Sequence, residues 1–367
     1  MAAGISRHEP ADCRDPQVIR LGEQRESGAM QVSSQEKYGT VQQRNRAAGM
    51  VAAGLRLFCA LLVFGVVVQP STAAAAVDVK FQHQLANFTS VPGFQSVNLS
   101  ADEEHKEVFV TDLTSGDVRI FNQYGMEEYR FGKEEGLPAP LDTVVTEDGD
   151  IYLLAGAEAG TKILHCNFRG EARGELSLQG LPAEFVDFRA GRLVYSQGLF
   201  YLCDLSRMKV VMVDRQGRFR SGVDLLAAVR SEFPDLPPAR FGNLEAGGFG
   251  VDAKGKILFT ISELFAAFVV APDGTARAFG RKGSVPGRFA VVKGIAADDR
   301  GFIYVADILR SVVLVFDPSL QFVTEFGGRG FSPGSLVGPS QLAVCGNMLY
   351  VSQLRSRGVS AFLLRYD

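Results

Sequence analysis

Between Gly294 and Phe326 the apolar positions fall into short runs separated by polar turns. Ile295 to Ala297 is a brief apolar strand, and Asp298-Asp299-Arg300-Gly301 reverses it, with glycine where a hairpin turn takes a positive φ. Phe302 to Ala306 is aromatic and β-branched, as a buried strand should be, and Asp307 ends it with a carboxylate suited to bond loop amides. Val312 to Phe316 is a third run. Asp317-Pro318-Ser319 turns the chain again, and Gln321 to Phe326 alternates polar and apolar like a strand with one solvated face. The pattern predicts one four-stranded antiparallel unit.

The unit recurs. Aromatic residues of the second strand stand at Phe109, Tyr152, Tyr201, Phe259, Tyr304 and Tyr350, at intervals of 43, 49, 58, 45 and 46 residues. Glycines at 149, 198, 255, 301 and 346 precede these markers by three or four residues, and Gly125, Gly170, Gly217 and Gly274 follow theirs by fifteen to eighteen. Periods in the forties with four strands each are the signature of propeller blades. The expectation is an all-β, six-bladed β-propeller of four-stranded antiparallel blades over residues 77–367. The last blade is short of its outermost strand, and the alternating Lys80 to Leu85 (KFQHQL) is expected to supply it.

The run GIAADDRGFIYVAD with VLVFD, preceded by GSVPGRF and followed by FVTEFG, resembles an NHL repeat, and Asp112 to Phe121 (DLTSGDVRIF) resembles it less closely. The likeness covers roughly residues 79–367. It departs from the pattern at Leu320, which stands where the turn glycine should be. It departs again at Ala155, Ser262 and Gln353, which replace the strand-ending aspartate, and at Val312, where a basic residue is usual. The resemblance implies a binding or scaffold propeller. NHL-like propellers also include a zinc-dependent amidating lyase, but His83, His105 and His165 form no recognisable ligand set for one.

One segment breaks the rhythm. Asp224 followed by Leu225, Leu226, Val229 and Phe233 reads as a capped amphipathic helical turn or two, stopped by Pro234, and Pro237 to Arg240 then returns to the sheet. Upstream, residues 1–49 are polar and aperiodic, which reads as a disordered or untranslated extension. From Met50, Arg56 is followed by the apolar run Leu57 to Val68 and the small residues Ser71 to Ala76, the layout of a secretory signal over 50–76. The apolar run is too short for a permanent span. The expectation is therefore export to the periplasm or cell exterior, with functional translation from Met50 and a mature end near Val77.

Apolar residues make up 46% of the chain and tryptophan is absent; 40 glycines serve the turns. Past residue 76 there are 30 basic and 35 acidic residues, a net −5, so no global basic field draws nucleic acid. Cys166, Cys203 and Cys345 are too widely spaced to imply a disulfide framework, and Cys203 is read as a small core residue. There is no HExxH, GxSxG, P-loop, CxxC or CxxCH motif. Asp148, Asp150, Asp298 and Asp299 are read as turn formers, with structural calcium as the alternative. No cofactor, catalytic residue or metal site is assigned. Two function classes stay open: an envelope binding propeller, monomeric and engaging a protein or anionic ligand, or a lactonase- or lyase-type enzyme with a carboxylate site at the propeller axis.

In a propeller the turns between second and third strands and the links between blades emerge at one end. Arg207 and Lys209 of blade three, Arg310 of blade five, and Arg355 and Arg357 of blade six are placed there, with Arg281, Lys282, Arg288, Lys293 and Arg329 in links. Blades one and four offer Asp112, Asp117, Glu134, Glu135 and Glu263 instead. The partner-binding set is thus Arg310, Arg355, Arg357, Arg207, Lys209, Arg281 and Arg329, with the guanidiniums of Arg310, Arg355 and Arg357 gripping carboxylates or phosphates.

Overall fold

Six four-stranded antiparallel sheets stand around an axis in the computed structural model, which describes residues 77–158 and 160–366. The expected extension over 1–49 and signal over 50–76 lie outside the described residues. Blade five shows the plan: Val292–Ala297 is innermost, then Ile303–Asp307, Val312–Phe316 and the outer Phe322–Gly327. The two middle strands are buried at every position, whereas the outer strand is not. In blade six the strand Val77–Gln84 pairs antiparallel with Val359–Tyr366, from Val77 opposite Tyr366 to Gln84 opposite Ser360.

All six marker aromatics are buried between blades. Phe259 stacks on Phe268 within its blade, and Tyr152 packs against Phe200 of the next blade with ring centroids 4.5 Å apart. Fully burying such a ring stabilises by about 1.5–3 kcal/mol, and six of them tie neighbouring sheets into one ring. The turn chemistry is also periodic. Asp112, Asp204 and Asp307 each accept backbone amides of the following turn, as Thr114 and Ser115, Arg207, and Arg310 respectively donate to them. Asp204 and Asp307 reach in addition to the incoming link, at the amides of Arg189 and of Ala290 and Val291. In blade six Gln353 takes over part of this task, accepting from Val337. Leu320, in the place of a turn glycine, itself adopts φ 68.

Leu225–Glu232 is helical, and the Asp224 carboxylate accepts the amides of Leu226 and Ala227. Leu225, Ala228 and Val229 pack on the core shared by blades three and four. Beyond it, Pro238–Phe241 forms a second helical turn rather than returning directly to the sheet. The reason is local: Pro238 sits at the first helical position, where its missing amide costs nothing.

Candidate functional site

Strand direction fixes two ends. The turns joining second to third strands and the inter-blade links lie at one, here termed the link face; the remaining hairpin turns lie at the other. The structure divides the expected partner-binding set. Arg281, Arg329 and Arg355 are exposed on the link face, as is Lys282, and none of these four forms an ion pair among the described residues. Arg207 is exposed but lies 3.3 Å from Asp204. Lys209 donates to the Glu184 carbonyl and sits over the Phe185 ring.

Arg310 corrects the expectation. Its guanidinium is largely buried, 2.5 Å from Glu325 and 2.8 Å from the Arg288 carbonyl, so it clamps the outer strand and the incoming link of its own blade. Arg357 is half-buried, with its guanidinium carbon 4.8 Å from the centre of the Phe331 ring. Of the three arginines expected to act together, Arg355 alone stands free. The opposing carboxylates thin out likewise. Asp112 and Asp117 are buried, and Glu135 accepts the Gly132 amide, leaving Glu134 and Glu263 outward.

What emerges is a sharper partition of the face. The segments 280–293, 308–311, 328–338, 354–358 and 85–96 run in order around blades five and six, and they contain no aspartate or glutamate. The rest of the link face holds Glu134, Glu158, Glu184, Asp187, Glu232, Asp235, Glu245 and Glu263. Anything approaching within the roughly 8 Å Debye length of this face meets a net positive arc on one side and a net negative one on the other.

The axis itself is crossed by a polar layer that sequence reasoning missed. Arg192 of blade three donates from Nε to Asp142 of blade two at 2.8 Å and from a terminal nitrogen to Gln341 of blade six, on the far side of the ring, at 2.9 Å. Asp142 also accepts the amides of Leu193 and Thr143. Gly248 and Gly294 occupy the same layer, where a Cβ would collide with the carbonyls of Lys293 and Ser340. Below it a cavity of about 340 Å³, walled by small residues such as Ser100, Gly250, Ala296 and Ala343, runs to Glu103, Asp252 and Asp299 at the opposite end.

A second hollow, of about 780 Å³, lies between blades one and two at the end away from the links. His105 Nδ1 lies 2.8 Å from Asp102 there, and this hydrogen bond, with the carboxylate's charge, raises the imidazole pKa above its ordinary value. Burial raises the neighbouring Glu107 carboxyl. Asp150 is drawn to His165 at 2.9 Å and Arg173 at 3.6 Å. No serine, threonine or cysteine lines the hollow, and its one hydroxyl, that of Tyr129, donates to the Arg169 carbonyl.

No protein-family model matches the chain, and no curated protein matches it in sequence. Solved structures do match in fold. One is a Bacteroides thetaiotaomicron protein of unknown function, 12% identical, with a TM-score of 0.56 over 80% of this chain and 77% of that one. Another is a candidate gluconolactonase, 12% identical, with a TM-score of 0.50 over 80% and 93%. A virginiamycin B lyase from Staphylococcus aureus is 13% identical, with a TM-score of 0.48 over 80% and 88%. At such identities the likeness is one of fold alone.

Proposed function

We propose that this chain is an exported propeller of the NHL-repeat kind that works by binding, presenting the acid-free arc of its link face to an anionic partner in the cell envelope. The observation that carries the reading is the set Arg281, Lys282, Arg329 and Arg355, exposed and without ion pairs among the described residues, on segments that hold no carboxylate. Cations with no internal counter-charge remain available to bond carboxylate or phosphate. The layout of residues 50–76 supports export.

An enzyme with its carboxylates at the axis is the weaker reading, because Asp142 and Asp298, buried beside the axial cavity, already have both oxygens engaged. Asp142 receives three donors as described. Asp298 accepts the amides of Arg300 and Phe302 on one oxygen and the hydroxyls of Tyr304 and Tyr366 on the other. Oxygens that already accept these bonds are not directed at a substrate.

The test is retention on immobilised polyglutamate at low salt. Wild type is expected to be retained, and each of Arg281→Ala, Arg329→Ala and Arg355→Ala to weaken binding by about 1 to 2 kcal/mol with the melting temperature unchanged. Equal retention of wild type and the triple variant would remove this face from consideration.

A further inference from the structure

The acid-free arc carries a second feature that charge alone does not explain. The links 280–293 and 328–338 share a Gly-x-x-Pro-Gly tip, and each tip holds out one large apolar side chain: Val285 is 60% exposed and Phe331 81%. Leu309, in the blade-five turn between them, is 69% exposed, and Phe88, in the link at residues 85–96, is 91% exposed. The tips are firmly based. Phe289 and Leu336, fully buried, anchor the returning limbs, and bridges join Lys282 to Phe289 and Arg329 to Leu336.

A single exposed apolar side chain is ordinary on a protein surface, but four on neighbouring loops of one carboxylate-free arc, beside cations without ion pairs among the described residues, are a local concentration. Four such side chains on separate loops do not form the continuous apolar patch a folded partner would cover. A fluid interface has no such requirement, since each side chain enters the boundary between headgroups and acyl chains independently while the cations beside it remain among the headgroups. Carboxylates would oppose that approach, and these segments have none.

We infer that the anionic partner of this face is a lipid bilayer surface rich in anionic headgroups, with Val285, Leu309, Phe331 and Phe88 entering it and Arg281, Lys282, Arg329 and Arg355 pairing with phosphates. The inference rests on the anion-binding reading above and names its ligand.

The chain contains no tryptophan, so one introduced tryptophan reports its own position without background. Phe331→Trp and Leu309→Trp are prepared in the full chain, with Tyr124→Trp, exposed at the opposite end, as control. Vesicles contain equal parts phosphatidylglycerol and phosphatidylcholine, or phosphatidylcholine alone. On the anionic vesicles, emission at 331 and 309 is expected to shift to the blue and to be quenched by brominated acyl chains, while emission at 124 is unchanged. Adding Arg329→Ala or Arg355→Ala should raise the lipid concentration for half the shift about five-fold each.

Because the readout is local, membrane attachment through the apolar stretch 57–68 does not mimic it. An unshifted emission at 331 and 309 overturns the inference, as does an equal shift on neutral vesicles. If polyglutamate retention persists in that case, the anion-binding face stands and its partner is an acidic macromolecule; if retention fails too, both readings fall.

Discussion

The two arcs of the link face are built from the same repeat and put it to different use. Over blades three and four the link is long and folded, its helix Leu225–Glu232 burying apolar residues on the core, with Asp235 and Glu245 of the same link exposed. Around blades five and six the links are short, glycine- and proline-rich, free of carboxylates, and hold apolar residues outward. The first arc covers most of its apolar side chains, Val186 excepted. The second leaves cations without counter-charges and side chains without cover, and that surplus is where binding should be sought.

The severest way to break the comparison is to remove the strand that runs into the last link of the acid-free arc. Deleting residues 78–89 takes away the pairing with Val359–Tyr366 and should cost much of the roughly 5 to 15 kcal/mol typical of a domain's stability. Unchanged thermal unfolding of the deletion would show that the strand contributes no closure.

Within the acid-free arc, arginines that hold structure should separate from those that present charge. Arg310→Ala leaves Glu325 largely buried without its partner, and a loss of about 3 kcal/mol is expected in denaturant unfolding. Arg355→Ala should leave unfolding unchanged and lower anion binding instead. A reversed result would merge the two classes.

A pH titration sharpens the role of the same strand. His83 packs over Gly125 of blade one; its Nε2 is buried without a partner among the described residues, and burial lowers its pKa below 6.5. The folded state therefore resists protonation. Stability is fully present above pH 6.5 and falls as pH descends below it, where the unfolded chain takes up the proton first. His83→Gln should flatten that descent, and a slope identical to wild type would assign the acid sensitivity elsewhere.

The smallest effect is expected from Arg207→Ala. Arg207 is a cation of the opposite arc, paired with Asp204 in a half-exposed bridge of the kind that contributes about 0 to 1 kcal/mol. Unfolding should move by a few tenths of a kcal/mol at most, and polyglutamate retention not at all. A clear drop in retention would extend the binding surface across both arcs.

The fold was legible because its signals are local. A turn glycine and an aromatic three residues later, or an aspartate and the amides it caps, sit within one hairpin, so spacing reveals them. Gln353 and Leu320, which break the motif, still do the motif's work, one accepting a link amide and the other adopting a positive φ. The surroundings of the link-face cations and of the axis were only half legible. Arg310 looks free along the sequence because Glu325 lies fifteen residues away across a strand, and Arg192 meets Asp142 and Gln341 only because ring closure brings three blades to one axis. Sequence shows which end a cation occupies. It does not show whether a carboxylate has already claimed it.

The three cysteines of the described region turn the ring into its own clock. Cys166, Cys203 and Cys345 are free and buried, one each in blades two, three and six, and burial pushes the thiols of Cys166 and Cys345 up to about 11. A thiol so placed reacts with a disulfide reagent only when its blade opens to solvent. Identical labelling rates at all three positions would mean the ring opens as a whole; a faster Cys345 would mean it opens first in the blade where Val77–Gln84 pairs with Val359–Tyr366.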